Sequence, residues 1–190
     1  MKEYPLKEFR TAHAFEKWLS LNHAREEGLR IRIAKKSSGI PSITYAEALE
    51  VALCYGWIDG QSKSIDESWH WQQFTPRRAR SLWSTRNQGI VERLIADGRM
   101  KPSGQAEIER ARADGRWDAA YDSPSRAEVP PDLAAALRKS PEARRFFEAL
   151  DSRNRYSILH RLMTAKKSET RARRLSTFVR MLQEGRTIHP

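Results

Sequence analysis

The spacing of apolar residues changes period several times along the chain, and each change marks an element. Ala14, Phe15, Trp18, Leu19 and Leu21 recur at helical intervals between Thr11 and His23 and predict an amphipathic helix. The next stretch, L-R-I-R-I-A, sets Leu29, Ile31 and Ile33 against Arg30 and Arg32. That period of two predicts a strand with one buried face. S-S-G-I-P-S then breaks the pattern. Thr44-Tyr45-Ala46-Glu47 has the form of a capping box and opens a helix that turns Ala48, Leu49, Ala52 and Leu53 inward, with Gly56 as its stop. Trp57-Ile58-Asp59-Gly60-Gln61 reads as a short strand entering a turn. Trp69 to Phe74 reads as its antiparallel partner, ended by Pro76.

From Ser84 onward the period is that of helices. Ile90, Val91, Leu94 and Ile95 share one face of a helix from Asn87 to Asp97, closed by Gly98. Ser103 is the expected cap of another, which runs through Ile108 and Ala111 to Asp114. Residues 118–131 have no periodicity and hold three prolines, so they read as a linker. Short helices are expected at Asp132–Lys139 and Glu142–Leu150. A third carries the stripe Tyr156, Leu159, Leu162 and Met163, and the last runs from Glu169 to about Glu184. Helices this short need packing to persist, so Phe178 and Leu182 should be covered, as should Trp57 and Trp83. The fold class is α+β, predominantly helical. A small antiparallel sheet sits in an N-terminal domain of residues 1–117, and a C-terminal helical subdomain spans 132–190.

Composition narrows the class. The 190 residues include 39% hydrophobic side chains and six tryptophans, enough for a folded core. Val51 to Ile58, the longest apolar run, is far too short to cross a bilayer, and M-K-E-Y-P-L-K-E-F-R has no signal-peptide form. The single cysteine, Cys54, cannot form an internal disulfide, and its apolar neighbours suit a buried thiol. A cytoplasmic protein without membrane insertion is the expectation. Histidines 13, 23, 70, 160 and 189 share no ligand spacing, so no metal or cofactor is expected. No G-x-S-x-G, phosphate-binding or H-E-x-x-H pattern occurs, which leaves catalytic residues unassigned.

The formal charge of +11 points to anionic partners, and its distribution is uneven. The last 38 residues hold ten bases and two acids. Two regions concentrate candidate chemistry. In F-T-P-R-R-A-R-S-L-W-S, Arg77 and Arg78 follow a chain-stiffening proline. Trp83 and Ser84 lie beside them, and Trp57 and Asp59 come from the neighbouring strand. Arg77 is expected to reach Asp59, either as a structural pair or as part of a ligand site. Arg99 belongs to a second basic loop, G-R-M-K-P-S-G, which would equally serve as a plain helix start. The other region is A-K-K-S-E-T-R-A-R-R, where Lys166, Lys167, Arg171, Arg173 and Arg174 form either a solvated face or a footprint for phosphates.

With these segments laid out, the chain resembles the bacterial YdeI/OmpD-associated family, also called bacteriocin-protection proteins. The residues that carry the likeness are Y-A-E-A-L-E-V-A-L-C-Y-G-W-I-D-G-Q at 45–61, F-T-P-R-R-A-R-S-L-W-S at 74–84 and G-R-M-K-P-S-G-Q-A at 98–106. G-R-W-D-A-A-Y at 115–121 and A-K-K-S-E-T-R-A-R-R at 165–174 complete them. The resemblance implies association with a porin, a link that rests on the family name, and a periplasmic setting that the N-terminus does not support. It supplies no catalytic residues. The expected function is binding of an anionic small molecule in a cleft lined by G-W-I-D-G-Q and F-T-P-R-R. Two alternatives stand beside it. One is a hydrolase or transferase using Asp59 or His70 on a phosphorylated or carboxylated substrate. The other is weak, non-specific nucleic-acid binding through the C-terminal basic helices.

Overall fold

The computed structural model describes residues 3–122 and 127–190. The chain divides into two compact units, one of residues 1–83 and 87–119, the other of 84–86 and 120–190. Of the expected linker 118–131, residues 118–119 belong to the first unit and 120–131 to the second, and its residues 123–126 lie outside the described residues.

In the first unit, four strands form one sheet in the order β1-β2-β4-β3, built from β1 (Leu6–Glu8), β2 (Leu29–Ala34), β3 (Trp57–Ser64) and β4 (Trp69–Pro76). The hairpin β3–β4 is antiparallel, as the sequence pattern suggested, and β2 pairs antiparallel with β4. β1 is an addition: it pairs parallel with β2, Leu6 opposite Arg30, so the sheet is mixed rather than antiparallel. Three residues, all exposed, carry no alternation by which to recognise a strand.

The alternation in β2 sorts its side chains between two faces. Leu29, Ile31 and Ile33 are buried beside Phe74 of β4. Helices α1 (Ala12–Asn22) and α2 (Tyr45–Cys54) cover this side: Phe15 meets Phe74 at 5.9 Å between ring centroids, and Trp18 meets Trp57 edge-on at 6.1 Å. On the other face Arg32 lies 4.2 Å over the Trp69 ring and Arg30 lies 4.5 Å over Trp71. Each arginine leans to the diagonal partner rather than the one directly opposite, which is the reach a long side chain needs to stack on an indole.

The capping box of α2 forms in full, with Thr44 Oγ1 accepting from the Glu47 amide and Glu47 accepting from the Thr44 amide. Burial pushes the Cys54 thiol up to about 11, consistent with the expected buried cysteine. Helix α3 (Thr85–Ala96) begins two residues earlier than its periodicity indicated. Helix α4 (Pro102–Ala113) starts on Pro102, with Lys101 rather than Ser103 at the cap.

The second unit is helical: α5 (Pro131–Arg138), α6 (Pro141–Ala149), α7 (Ser152–Met163) and α8 (Ser168–Gln183). Leu133, Leu137, Phe147, Ile158, Leu162, Phe178 and Leu182 form its core. Phe178 and Leu182 are buried, as short helices require. Among the described residues, no helix is long and apolar enough to cross a membrane.

Candidate anion-binding sites

Past β4 the chain turns sharply, and the turn is held by its own cations. The Arg77 amide donates to Gly56 O at 2.9 Å, extending the hairpin by one bond. Arg77, 5% exposed, places its guanidinium carbon over Trp83, 3.6 Å from the ring centroid, and Nη1 donates to Leu82 O at 3.1 Å. Trp83 in turn packs on Trp117 at 5.0 Å, and Arg112 lies 4.9 Å over Trp117. Arg116, also buried, donates Nε–H to Asp114 and Nη1–H to Ser81 O, both at 2.8 Å. The segments F-T-P-R-R-A-R-S-L-W-S and G-R-W-D therefore meet as an interleaved stack of guanidinium groups and indoles.

The other residues singled out in this region also have protein partners. Trp57 is buried and its Nε1–H donates to His23 O. Asp59 accepts from the Tyr45 hydroxyl at 2.9 Å, beside an irregularity in the β3–β4 register. Arg99 donates to Glu50 at 2.9 Å, and Arg93 binds the same carboxylate. Arg78 is exposed, its amide donating to Ser81 Oγ. Ser84 is buried and bridges to Tyr121 within the second unit. Arg77 and Trp83 are thus brought together, whereas Arg99 is held in a separate cluster. The loop at 98–104 is a packing joint: the Lys101 amide donates to Cys54 O at 3.2 Å, and its ammonium pairs with Glu16 at 3.0 Å.

The C-terminal cations divide by role. Arg171 grips Asp132 with Nε at 2.7 Å and Nη2 at 2.9 Å, and Nη1 donates to Leu162 O at the end of α7. This bidentate pair ties α5 to α8. Arg174 donates to Arg161 O at 2.6 Å. These two arginines satisfy carbonyls of the last turn of α7, where the helix end carries partial negative charge. Lys166 and Lys167 are exposed, and Lys167 holds the cap position of α8 without a side-chain bond.

Next to these contacts Arg161, Arg173, Arg174, Thr177 and Phe178 line a cavity of about 330 Å³. Among the described residues no carboxylate pairs with Arg161, Arg173 or Arg174. Thr177 donates its hydroxyl to Arg173 O at 2.9 Å. Sequence reasoning found Arg173 and Arg174 but missed Arg161, because α7 was read only for its apolar stripe. The pairing of α7 with α8 would have placed it. His160, the neighbour of Arg161, is lowered from its ordinary value by burial first, then by the charges of Arg161 and Arg174.

The Asp132–Arg171 pair has a pH signature. Hydrogen bonding from Arg171 holds Asp132 below the usual carboxylate range. A carboxyl lowered on folding contributes stability above its unfolded value, about 3.9, and loses it as pH falls through the lower folded value. Acid should therefore loosen the second unit in that window. Asp132→Asn should remove this part of the acid response, read from the amide resonances of α5 and α8 during an acid titration.

Family comparison divides the chain differently from the resemblance in the sequence. A model described as a domain of unknown function (DUF8412) matches residues 7–107, more than half of the chain. A model described as Bacteriocin-protection, YdeI or OmpD-Associated matches residues 126–185. The likeness to that second group is thus located at 126–185, with the A-K-K-S-E-T-R-A-R-R segment inside it. The segments at 45–61, 74–84 and 98–106 fall in the first match. No curated protein and no solved structure matches the chain.

Proposed function

The chain belongs to the DUF8412 family and carries a bacteriocin-protection, YdeI or OmpD-associated region behind that domain, and from this footing we propose that it binds a small phosphorylated molecule in the arginine-lined cavity of its second unit. One observation carries the reading: three guanidinium groups without carboxylate partners among the described residues converge on one cavity backed by the Phe178 ring. Like charges gathered at a site repel one another, and an anion relieves that repulsion. Planar guanidinium groups also match phosphate oxygens in pairs. The cavity volume lies near the lower limit of small-molecule sites, which run from about 300 Å³ upward.

This reading keeps anion binding but moves its seat from the G-W-I-D-G-Q and F-T-P-R-R segments, where Arg77 and Asp59 meet protein partners and the exposed Arg78 stands on an open turn. Catalysis has less support. Asp59 is engaged by Tyr45 in the first unit, and His70 belongs to a different cavity there. Nucleic-acid binding draws on Lys166 and Lys167, which are exposed.

A thermal-shift panel at constant ionic strength separates these readings, using pyrophosphate, nucleoside monophosphates, sugar phosphates and a short single-stranded DNA. A phosphorylated small molecule at a hundredfold excess over its Kd should add about 2.7 kcal/mol, a rise in Tm of roughly 5–10 °C. Arg161→Ala combined with Arg174→Ala should abolish the rise. Stabilisation by DNA alone, falling steeply with salt, would instead favour the nucleic-acid reading. No response to any phosphate would remove the proposal.

A further inference from the structure

The first unit holds a larger cavity, about 630 Å³, where the end of β2, the loop after it and the start of α2 come together. Its floor is apolar: Ile33 and Ile43 are buried there, with Ala34 and Ala46 beside them. Ile40 forms part of the wall and remains 40% exposed, on a loop that ends a short 3-10 turn at Gly39. No aspartate or glutamate lines the space.

Most polar groups on its rim are already committed to the protein. Lys35 Nζ donates to Ser64 Oγ at 2.9 Å and to Asp66 O at 2.6 Å. Ser42 Oγ accepts from the Ala34 amide and donates to Ile43 O. Thr44 is occupied by the capping box, and the Tyr45 hydroxyl donates to Asp59. Two lining groups stand apart. Lys36 is exposed and His70 half-buried, and among the described residues neither side chain has a hydrogen-bonding or ionic partner. The cavity therefore combines an aliphatic floor, one open apolar wall, one uncommitted ammonium and one uncommitted imidazole.

We infer that this cavity binds a carboxylic acid with an apolar body, the carboxylate meeting Lys36 and His70 and the body covering Ile33, Ile40 and Ile43. Aliphatic walls hold water poorly, so filling them with a hydrocarbon or aromatic body is favourable where ordered solvent is not. Its volume falls within the range of small-molecule sites, about 300–1,000 Å³, and is nearly twice that of the arginine cavity. Charge complementarity fixes the sign: two lysines and no acid line the space. A single carboxylate suits one free ammonium better than a multiply charged phosphate would. Burial, then the charge of Lys35, lowers His70 from its ordinary value, which leaves a neutral ring able to donate one N–H. This site shares no residue with the arginine cavity and does not depend on it.

Phenylpropionate, phenylpropanol and acetate separate the contributions, with binding followed by calorimetry and by the His70 ring resonances. Phenylpropionate should bind saturably and shift those resonances, whereas the alcohol and acetate should each bind at least tenfold more weakly. Lys36→Glu and Ile40→Asp alter exposed positions and should leave the fold intact while weakening phenylpropionate at least tenfold. The Arg161→Ala, Arg174→Ala double variant should bind it as the parent does. Absence of a His70 response, equal binding of the alcohol and the acid, or full affinity in both Lys36→Glu and Ile40→Asp would each overturn the inference.

Discussion

Gly104→Ala should lower the stability of the first unit by about 3 kcal/mol or more, the upper end of what overpacking costs. The sign is opposite to helix propensity, because alanine inside a helix is ordinarily worth roughly 0.5–1 kcal/mol over glycine. Gly104 lies buried in the first turns of α4, pressed against the end of α2. A Cβ there would overlap the Cys54 carbonyl oxygen and come within 2.8 Å of its carbonyl carbon and 2.7 Å of the Met100 sulfur. Two of those three contacts are backbone, so no rotamer change relieves them and α4 has to move away from α2. That shift would strain the Lys101 amide bond to Cys54 O as well. Gly89, exposed in α3, is the matched control, since a Cβ there meets nothing within 4 Å. Gly89→Ala should stabilise by about 0.5–1 kcal/mol. Urea unfolding of the two variants reads both signs, and a Gly104→Ala protein as stable as the parent would contradict the packing described.

Arg77→Ala should cost about 3 kcal/mol, from a lost charge-assisted hydrogen bond worth roughly 1.5–3 and a desolvated stack on Trp83 worth about 2, partly offset by relaxation. Arg77→Lys should recover less than half of the loss. An ammonium can reach Leu82 O or sit over the indole, but it lacks the planar group that does both at once. Equilibrium unfolding followed by tryptophan fluorescence measures this, since Trp83 and Trp117 report on the stack itself. Full rescue by lysine would reduce the role of Arg77 to charge alone. The same variant separates two locations for an anion site. If folded Arg77→Lys loses the stabilisation by phosphate, the ligand sits at the turn and not beside Phe178.

Features encoded within one turn of chain were legible from residues alone. The Thr44–Glu47 box, the L-R-I-R-I-A alternation and the glycine stops each depend on neighbours a few positions apart, and all appear as read. Strand β1 was not legible, since three exposed residues have no pattern apart from the partner they pair with. The candidate sites were legible as places rather than as partnerships. F-T-P-R-R-A-R-S-L-W-S was recognised as a basic stretch stiffened by proline, but Arg77 packs on Trp83 as part of the turn while Arg78 stays exposed. Asp132 and Arg171 lie 39 positions apart, and no local period relates them. Arg161 and Arg174 share a cavity only because α7 and α8 pack against each other. Charge density located the basic end of the chain; only the fold separates cations bound to carboxylates from those left facing a cavity.

The most direct test of the anion site is titration of pyrophosphate into the parent protein and the Arg161→Ala, Arg174→Ala double variant by calorimetry, with Arg171→Lys as a third sample. The expected result is saturable binding to the parent, at least tenfold weaker binding to the double variant with its fold unchanged, and retained binding by Arg171→Lys, because the Arg171 guanidinium of the parent serves Asp132 and not the ligand. Equal affinity for parent and double variant, or no saturable heat with either, would contradict a phosphate site between α7 and α8.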